Sequence, residues 1–330
     1  MTSPSPSSTA EYHYIKTIGN AAAPGQTGFR NPVDVALGKD GVLYVLSHAA
    51  ENTPSGKRVA KCTFEEEYFL GEFGSFGSDD GQFTWPNSLA VGSEGNVYVT
   101  DEWLHRVSVF DPDGLFLRHW GSQGEGPGQW NRPAGITVDH ENNLLVVDSM
   151  NHRVQKYSRE GQFLTQWGGP GNNPGQFNTP WGITVDPLGN VLVADWRNDR
   201  IQKFTPDGDF LIQIGQSGDG AGQFQRPSGV AVDREGRIYV TDWGNDRLQV
   251  FGADGSFVTM FLGDAGMSQW GEERLSSNPE NMLGQRARAK SLDPEKRFVQ
   301  PTAVEIDDED RIFVADSARH RLQIYQKVAT

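Results

Sequence analysis

The sequence predicts an all-β fold, a six-bladed β-propeller with four antiparallel strands per blade and a ring that the N-terminal strand closes. Three observations predict it. A motif that begins with proline recurs six times, each repeat holds four short strand-like runs, and the last repeat lacks a fourth run that the start of the chain supplies. Four strands in a unit of roughly 40 to 50 residues are the pattern of a propeller blade.

The proline motif sets the period. The six segments read NPVDVALG, WPNSLAVG, RPAGITVD, TPWGITVD, RPSGVAVD and QPTAVEID. Their prolines lie at positions 32, 86, 133, 180, 227 and 301, so the spacings are 54, 47, 47, 47 and 74 residues. Three equal spacings indicate a repeat architecture. The two longer ones predict insertions at about 48–57 and 264–297.

Each repeat contains four strands. Between positions 180 and 215 the runs PWGITVD, GNVLVADW, NDRIQKFTPDG and DFLIQIG are rich in Val, Ile and Phe and are separated by turn signals, which predicts an antiparallel meander. The last repeat ends in HRLQIYQ, its third strand, whereas EYHYIKTIG at 11–19 resembles a fourth strand. We therefore expect the N-terminal strand to complete blade 6 and protect the sheet edges.

Composition bounds the class of protein. Of the 330 residues 36% are hydrophobic, enough for a sizeable core, and the single cysteine, Cys62, excludes an intrachain disulfide. The polar segment at 1–10 predicts a disordered tail before a single propeller domain at 11–330. No apolar run has the length of a signal peptide or a membrane span, so we expect a cytoplasmic protein that does not bind membranes.

The net charge of −14 argues against nucleic-acid binding, because the protein as a whole repels phosphate backbones. The most basic segment, GQRARAKSLDPEKR at 284–297, is short and carries five Lys or Arg against two Asp or Glu. The partner we expect is a protein or peptide, or a small-molecule ligand.

The repeat units also resemble a known family. The patterns P-x-G-[IV]-[AT]-V-D, [VI]-[LY]-V-[AT]-D and N-[DH]-R-[IVL]-Q-[KV]-[FY] are similar to NHL repeats from about residue 11 to 326. The first unit departs, with Ser47 in place of Asp. Five units carry the Asp and Arg of the later motifs: Asp101 and Arg106, Asp148 and Arg153, Asp195 and Arg200, Asp242 and Arg247, Asp316 and Arg321.

The resemblance implies a propeller of NHL type, a group that includes protein-binding modules, RNA binders and the lyase half of peptide-amidating enzymes. In those lyases it implies a zinc-binding His directly after the inner-strand proline. No His occupies that position here, which holds Val33, Asn87, Ala134, Trp181, Ser228 and Thr302. We therefore do not expect that zinc chemistry.

Residues present in most blades are interpreted as structural. The Asp and Arg of the repeat are expected to pair. The aromatic residues of the GQF and GQW runs are expected to pack between blades. His105, His152 and His320 share one repeat position, where other blades have Asp199 and Asp246, and each lies in a different blade. We interpret the three His residues as structural and not as a zinc site.

Two carboxylates break the repeat in the inner strands. Positions two and four after the proline face the axial channel and otherwise hold small or neutral side chains. Asp34 in blade 1 and Glu305 in blade 6 are the exceptions, and ring closure makes these blades neighbours. Two close carboxylates have raised pKa values and suit acid/base catalysis or an oxygen-liganded cation such as Ca²⁺. Alternatively, channel water solvates both, or a basic side chain pairs with one.

A second set of repeat-breaking residues surrounds the channel mouth. It comprises tryptophans, an Arg, a His and an Asn at inner-strand starts or just after second strands: Trp103, Trp181, Trp196, Trp243, Arg197, His48 and Asn87. Such residues suit a small organic ligand with a carboxylate. The alternative is that each Trp packs its own loop. Both insertions fall on this face, where we expect a lid.

Two functions stay open. In the first, the propeller is a platform whose top face, where the inner strands begin, binds a protein or peptide. In the second, it is a lyase or hydrolase acting on a small anionic molecule at the channel mouth. Asp34 and Glu305 would then be acid/base or metal-anchoring groups, His48 an alternative proton carrier, and Arg197 the group that holds the substrate.

Overall fold

The computed structural model describes residues 11–49, 54–277 and 293–328. Six four-stranded antiparallel sheets form the blades. Their inner strands contact one another in sequence order, and the strand of blade 6 returns to that of blade 1, so the ring is closed. This confirms the predicted six-bladed propeller. The predicted disordered tail, 1–10, lies outside the described residues.

The strands follow the repeat. The inner strands are Pro32–Leu37, Pro86–Val91, Pro133–Val138, Ile183–Val185, Pro227–Val232 and Pro301–Ile306. The second strands are Val42–Ser47, Val97–Asp101, Leu144–Asp148, Val191–Asp195, Ile238–Asp242 and Arg311–Asp316. The third strands are Arg58–Thr63, Arg106–Phe110, Arg153–Tyr157, Arg200–Phe204, Arg247–Phe251 and Arg321–Val328. The outer strands are Phe69–Phe73, Phe116–Trp120, Phe163–Gly168, Phe210–Ile214, Phe257–Phe261 and, for blade 6, Glu11–Ile18.

The N-terminal strand closes the ring as predicted. Glu11–Ile18 pairs antiparallel with Arg321–Val328, with Tyr12 opposite Lys327 and Ile18 opposite Leu322. Blade 6 therefore joins the two ends of the chain in one sheet. Opening the ring breaks this whole ladder of backbone hydrogen bonds, so the closure ties the ends of the chain into one cooperative unit.

The core lies between adjacent blades. Its most regular element is an aromatic residue three positions before each inner-strand proline, at most 1% exposed: Phe29, Phe83, Trp130, Phe177, Phe224 and Phe298. This confirms the four aromatic plugs of the GQF and GQW runs and adds Phe29 and Phe298, which lack that run. Each such burial contributes roughly 1.5–3 kcal/mol.

The Asp and Arg of the repeat form ion pairs in four of the five predicted blades. The distances are 2.8 Å for Asp148–Arg153 and for Asp195–Arg200, and 2.7 Å for Asp242–Arg247 and for Asp316–Arg321. Blade 2 corrects the prediction. There Arg106 donates to the carbonyls of Ser78, Asp79 and Gln82, and Asp101 accepts the N–H groups of Thr84 and Trp85.

Blade 1 keeps the arginine but changes its partner. Arg58 stands at the repeat position, and its Nε lies 2.5 Å from the carboxylate of Glu72 in the outer strand. Ser47 instead accepts the backbone N–H of Arg30 at 3.1 Å. The carboxylate that the second strand lacks is therefore supplied from the opposite side of the arginine, and the buried guanidinium remains paired.

The repeated His position connects neighbouring blades. The Nδ1 atoms of His105, His152 and His320 accept backbone N–H groups of the next blade at 3.2, 3.0 and 2.9 Å. Asp199 and Asp246 make the same bond at 2.8 and 2.7 Å. These contacts support the structural interpretation. Across 11–49, 54–277 and 293–328, no three His, Cys, Asp or Glu side chains are grouped so that they could hold a metal.

The described part of the second insertion forms a wedge at the seam between blades 6 and 1, and the lid expected from the two insertions stays a prediction. The helix Gln269–Ser277 inserts Trp270, 4% exposed, against Phe29 and Phe69 at the seam between blades 6 and 1. The Trp270 indole N–H donates to the Glu67 carbonyl at 2.7 Å. Residues 50–53 and 278–292 of the two insertions lie outside the described residues. No helix in the described ranges is long and apolar enough to cross a bilayer.

Candidate functional site

The inner strands crowd around a narrow axial cavity. A Cβ on Gly135 would lie 2.4 Å from the Trp181 carbonyl oxygen, and one on Gly182 would lie 2.2 Å from that of Ser228, so these positions require glycine. The cavity has a volume of about 40 Å³, and both Asp34 and Glu305 line it. Since one water needs at least roughly 10–15 Å³, the cavity is large enough for about three waters and too small for an organic molecule.

Asp34 is anchored by three hydrogen bonds. Its Oδ1 accepts the Val35 N–H at 2.9 Å, and its Oδ2 accepts the Ser88 hydroxyl at 2.6 Å and the Leu89 N–H at 2.9 Å. The Ser88 oxygen in turn accepts the Ile136 N–H at 3.2 Å. Asp34 thereby links the inner strands of blades 1, 2 and 3. Burial raises its pKa to about 6, although the three hydrogen bonds act to lower it.

Glu305 faces the same cavity from the neighbouring strand. Thr302, near the start of that strand, donates its hydroxyl to the Pro32 carbonyl at 3.2 Å and joins blade 6 to blade 1. Burial and, to a smaller extent, the negative charge of Asp34 together raise the pKa of Glu305 to about 8, although the hydrogen bond from the Ile306 N–H acts to lower it. At neutral pH Asp34 is therefore ionised and Glu305 protonated, so the pair carries about one charge.

A row of three indoles borders the channel mouth. The ring centroids of Trp181 and Trp196 are 5.9 Å apart, and those of Trp196 and Trp243 are 6.4 Å apart. Two guanidinium groups lie over the central ring, with Arg226 at 4.8 Å and Arg197 at 5.8 Å from the Trp196 centroid. These are cation–π distances, so the arginines and indoles form one connected surface.

A groove of about 280 Å³ continues this row and is lined by Trp85, Glu102, Trp103, Arg132 and Trp181. Trp103 is 63% exposed. The Glu102 carboxylate accepts hydrogen bonds from Arg132 Nη1 and Asn87 Nδ2, both at 3.3 Å. Burial raises the pKa of Glu102, and the charge of Arg132 opposes that rise. Trp181 lines both the groove and the axial cavity, whereas the buried Asn87 orients Glu102.

His48 lies apart from the carboxylates. Its Nδ1–H donates to the Pro86 carbonyl at 2.9 Å, and its ring meets Trp85 edge-on with centroids 4.3 Å apart. Burial lowers the pKa of His48 to about 4, so the imidazole is neutral. His48 is absent from the lining of the cavity that holds Asp34 and Glu305. The structure therefore places it as a support for Trp85.

Sequence reasoning missed part of this surface. Trp85, Arg132 and Arg226 each stand directly before an inner-strand proline, a position not searched for large residues. At five of the six such positions the residue has a positive φ, between 49° and 59°: Asn31, Arg132, Thr179, Arg226 and Gln300. The recurring turn gives these residues a common setting at the top face, and a search of this column for large side chains would have found all three.

The chain is similar to known repeat proteins. A family model described as a six-bladed β-propeller matches residues 89–170, and one described as an NHL repeat matches 177–204, 224–251 and 298–325. A 45-residue segment is 47% identical to the B-box type zinc finger protein ncl-1 of Caenorhabditis elegans; it is 14% of this chain and 5% of that protein. The chain thus spans only a small fraction of this curated relative.

Two solved structures share the fold. A protein of unknown function from Bacteroides thetaiotaomicron aligns with a TM-score of 0.65 and 18% identity over 97% of this chain and 76% of its own. Virginiamycin B lyase from Staphylococcus aureus aligns with a TM-score of 0.56 and 16% identity over 89% and 80%. Identities this low establish a common fold and no more.

Proposed function

Because this chain is a six-bladed β-propeller of the NHL-repeat family, we propose that it is a binding platform that captures a protein or peptide on its top face. The observation that carries the proposal is the aromatic and arginine surface around the channel mouth. It joins the row Trp181, Trp196 and Trp243 to the groove formed by Trp85 and Trp103. We call this set of five indoles the aromatic rim.

The chemistry of the aromatic rim favours macromolecular binding. Trp and Arg are among the residues that most often dominate binding energy in protein interfaces, because Trp buries a large rigid surface and Arg forms bidentate, charge-assisted hydrogen bonds. None of the five indoles is fully buried, and Trp103 is 63% exposed. The axial cavity, at about 40 Å³, is by contrast too small for an organic substrate. A cytoplasmic location remains part of the proposal.

The enzymatic alternative rests on a different observation. Asp34 and Glu305 have pKa values of about 6 and 8, the range in which one carboxyl can accept and the other donate a proton near neutral pH. A lyase or hydrolase would use this pair on a small anionic group that enters from the mouth, with Arg197 as its anchor. The enzymatic function requires the channel mouth to widen so that a substrate can enter, so we rank it second. A divalent cation such as Ca²⁺ held by the same pair also stays a proposal.

Peptide selection tests the platform. The purified chain is immobilised and a displayed library of random peptides is selected on it. Selected peptides should lose affinity at least tenfold on Trp181→Ala and Trp196→Ala, and should bind Leu188→Ala normally. Leu188 is 82% exposed in the turn at the opposite end of its blade's inner strand, so its variant is the matched control for loss of an exposed apolar side chain.

The enzymatic alternative predicts another pattern. Asp34→Asn and Glu305→Gln should then abolish turnover in a screen of lyase and hydrolase substrates, whereas platform binding should survive both changes. Peptide binding that is insensitive to both tryptophan substitutions would refute the platform. Turnover lost in both carboxyl variants would favour the enzyme.

A further inference from the structure

We propose that the top face selects peptides in which a large apolar or aromatic side chain stands beside acidic side chains. This inference rests on the proposed function and names the class of its partner. Two neighbouring features carry it: a groove that fits one large side chain, and two arginines without carboxylate partners. Trp181 borders the groove and packs on Trp196, so one short peptide segment reaches both features.

The groove is the proposed anchor site. Three indoles, Trp85, Trp103 and Trp181, form its walls, and its volume of about 280 Å³ lies just below the range of roughly 300–1,000 Å³ that is usual for sites of whole drug-sized ligands. It therefore suits one bulky side chain better than a complete small molecule. Edge-to-face and stacked contacts with the indoles favour Phe, Tyr, Trp or Leu there.

Arg197 and Arg226 are the proposed acid-binding groups. Both lie over the Trp196 ring, which restrains their orientation while their N–H edges stay available for a carboxylate. Within the described ranges neither arginine forms an ion pair, although the chain has 43 acidic residues. The nearby Asp199 is already hydrogen-bonded elsewhere. Its Oδ1 accepts the backbone N–H of Arg226 at 2.8 Å, and its Oδ2 accepts the Ser217 hydroxyl at 2.7 Å.

The charge distribution favours an acidic peptide over a nucleic acid. A single-stranded RNA would also stack on indoles and pair with arginines. However, its phosphates repeat along the whole strand, whereas Arg197 and Arg226 offer only two positive charges beside the indoles and the chain carries a net charge of −14. Glu102 in the groove adds a carboxylate next to the anchor position. A peptide confines its acidic groups to one or two positions and avoids this repulsion.

The test uses the whole chain and the peptides selected on it. The selected sequences should be enriched in Asp and Glu next to a large apolar residue. Their affinity should fall about tenfold on Arg197→Glu or Arg226→Glu. Lys39→Glu is the charge-reversal control, since Lys39 is exposed in the turn between the first two strands of blade 1, at the opposite end of the inner strand from the channel mouth. Circular dichroism establishes that each variant is folded.

The outcomes separate this inference from the function on which it rests. Selected peptides that need Trp181 but show no acidic enrichment, or that bind the charge-reversed variants equally well, overturn the inference and leave the platform standing. Failure to obtain any peptide that depends on Trp181 overturns the platform itself. Tight binding of a single-stranded RNA oligomer that Arg197→Glu abolishes, without acidic peptides, assigns the face to nucleic acid and overturns the inference.

Discussion

Glu305→Gln should make the protein more stable at neutral and alkaline pH. The pKa of Glu305 is about 8 in the folded chain against an ordinary value of 4.5, so the folded state holds a proton that the unfolded chain releases. For a carboxyl with a raised pKa, stability is fully present below about pH 4.5 and is lost as the pH rises towards 8. Glutamine keeps the shape of the side chain and removes this titration.

The size of the effect follows from the shift. Between about pH 4.5 and 7 the unfolded carboxyl ionises while the folded one stays protonated, and this interval of about 2.5 pH units corresponds to at most roughly 3–4 kcal/mol of unfolding free energy. Glu305 is half-buried and not fully buried, so solvent screening keeps the effect below this limit. The pKa of Asp34 rises from 3.8 to about 6, so its titration also lowers stability as the pH rises. Stability of the Glu305→Gln variant should therefore still fall with pH, but less steeply than that of the native chain.

Guanidinium unfolding at several pH values between about 5 and 8 measures the difference. The native chain and Glu305→Gln should have similar stabilities at about pH 5 and diverge as the pH rises. Glu125→Gln, at an exposed loop position, controls for the general loss of one negative charge and should follow the native curve. Parallel curves for the native chain and Glu305→Gln would refute the assigned burial and coupling of the carboxyls.

Three further predictions concern the seam and the channel. Trp270→Ala should lower the free energy of unfolding by about 3–5 kcal/mol in chemical denaturation, because Trp270 is 4% exposed. Trp103→Ala, at an exposed position, should change the free energy of unfolding little, and equal losses in the two variants would contradict the wedge. His320→Asp should reduce the loss of stability below about pH 6. Burial lowers the pKa of His320, and the hydrogen bond that its ring accepts from the Asn31 N–H is lost when the imidazole is protonated as the pH falls, whereas a carboxylate keeps this bond, as Asp199 does in its own blade. An unchanged loss of stability below about pH 6 would show that this bond is unimportant. Millimolar Ca²⁺ should raise the unfolding temperature of the native chain at about pH 8 but not that of Glu305→Gln. Equal increases in unfolding temperature for the two proteins would refute the proposed cation site.

The regular parts of the fold could be predicted because strand periodicity fixes which side chains face inward. The register alone placed Asp34 and Glu305 in one channel. It did not predict the hydrogen bonds that Ser88 and Leu89 donate to Asp34, because these residues belong to blade 2 and are 54 and 55 residues away in sequence. The replacement of the missing Asp by Glu72 was hidden for the same reason, since Glu72 reaches Arg58 from a different strand.

The aromatic rim was predicted only in part because the predicted residues stand after the inner-strand proline or after the second strand. Trp85, Arg132 and Arg226 precede the proline, and the positive φ that Arg132 and Arg226 share is a property of the turn and not of residue type. The length and position of the insertion at 264–297 predict a lid over the channel mouth but do not predict that Trp270 makes its described part a wedge at the seam. Loop length indicates that a segment has some role, and buried contacts are needed to decide which.

Departures from the repeat have two different causes in this molecule. Asp34, Ser47 and Glu305 all lie in blades 1 and 6, where closing the ring changes the local contacts, so their irregularity has a structural explanation. The indoles lie in blades 2, 4 and 5, none of which contains the ring closure. Sibling blades carry Ser149 and Ser317 where Trp196 and Trp243 stand, and Ser228 and Thr302 where Trp181 stands. The fold therefore does not require tryptophan at these positions, which is why the aromatic rim supports a functional assignment better than the channel carboxylates do.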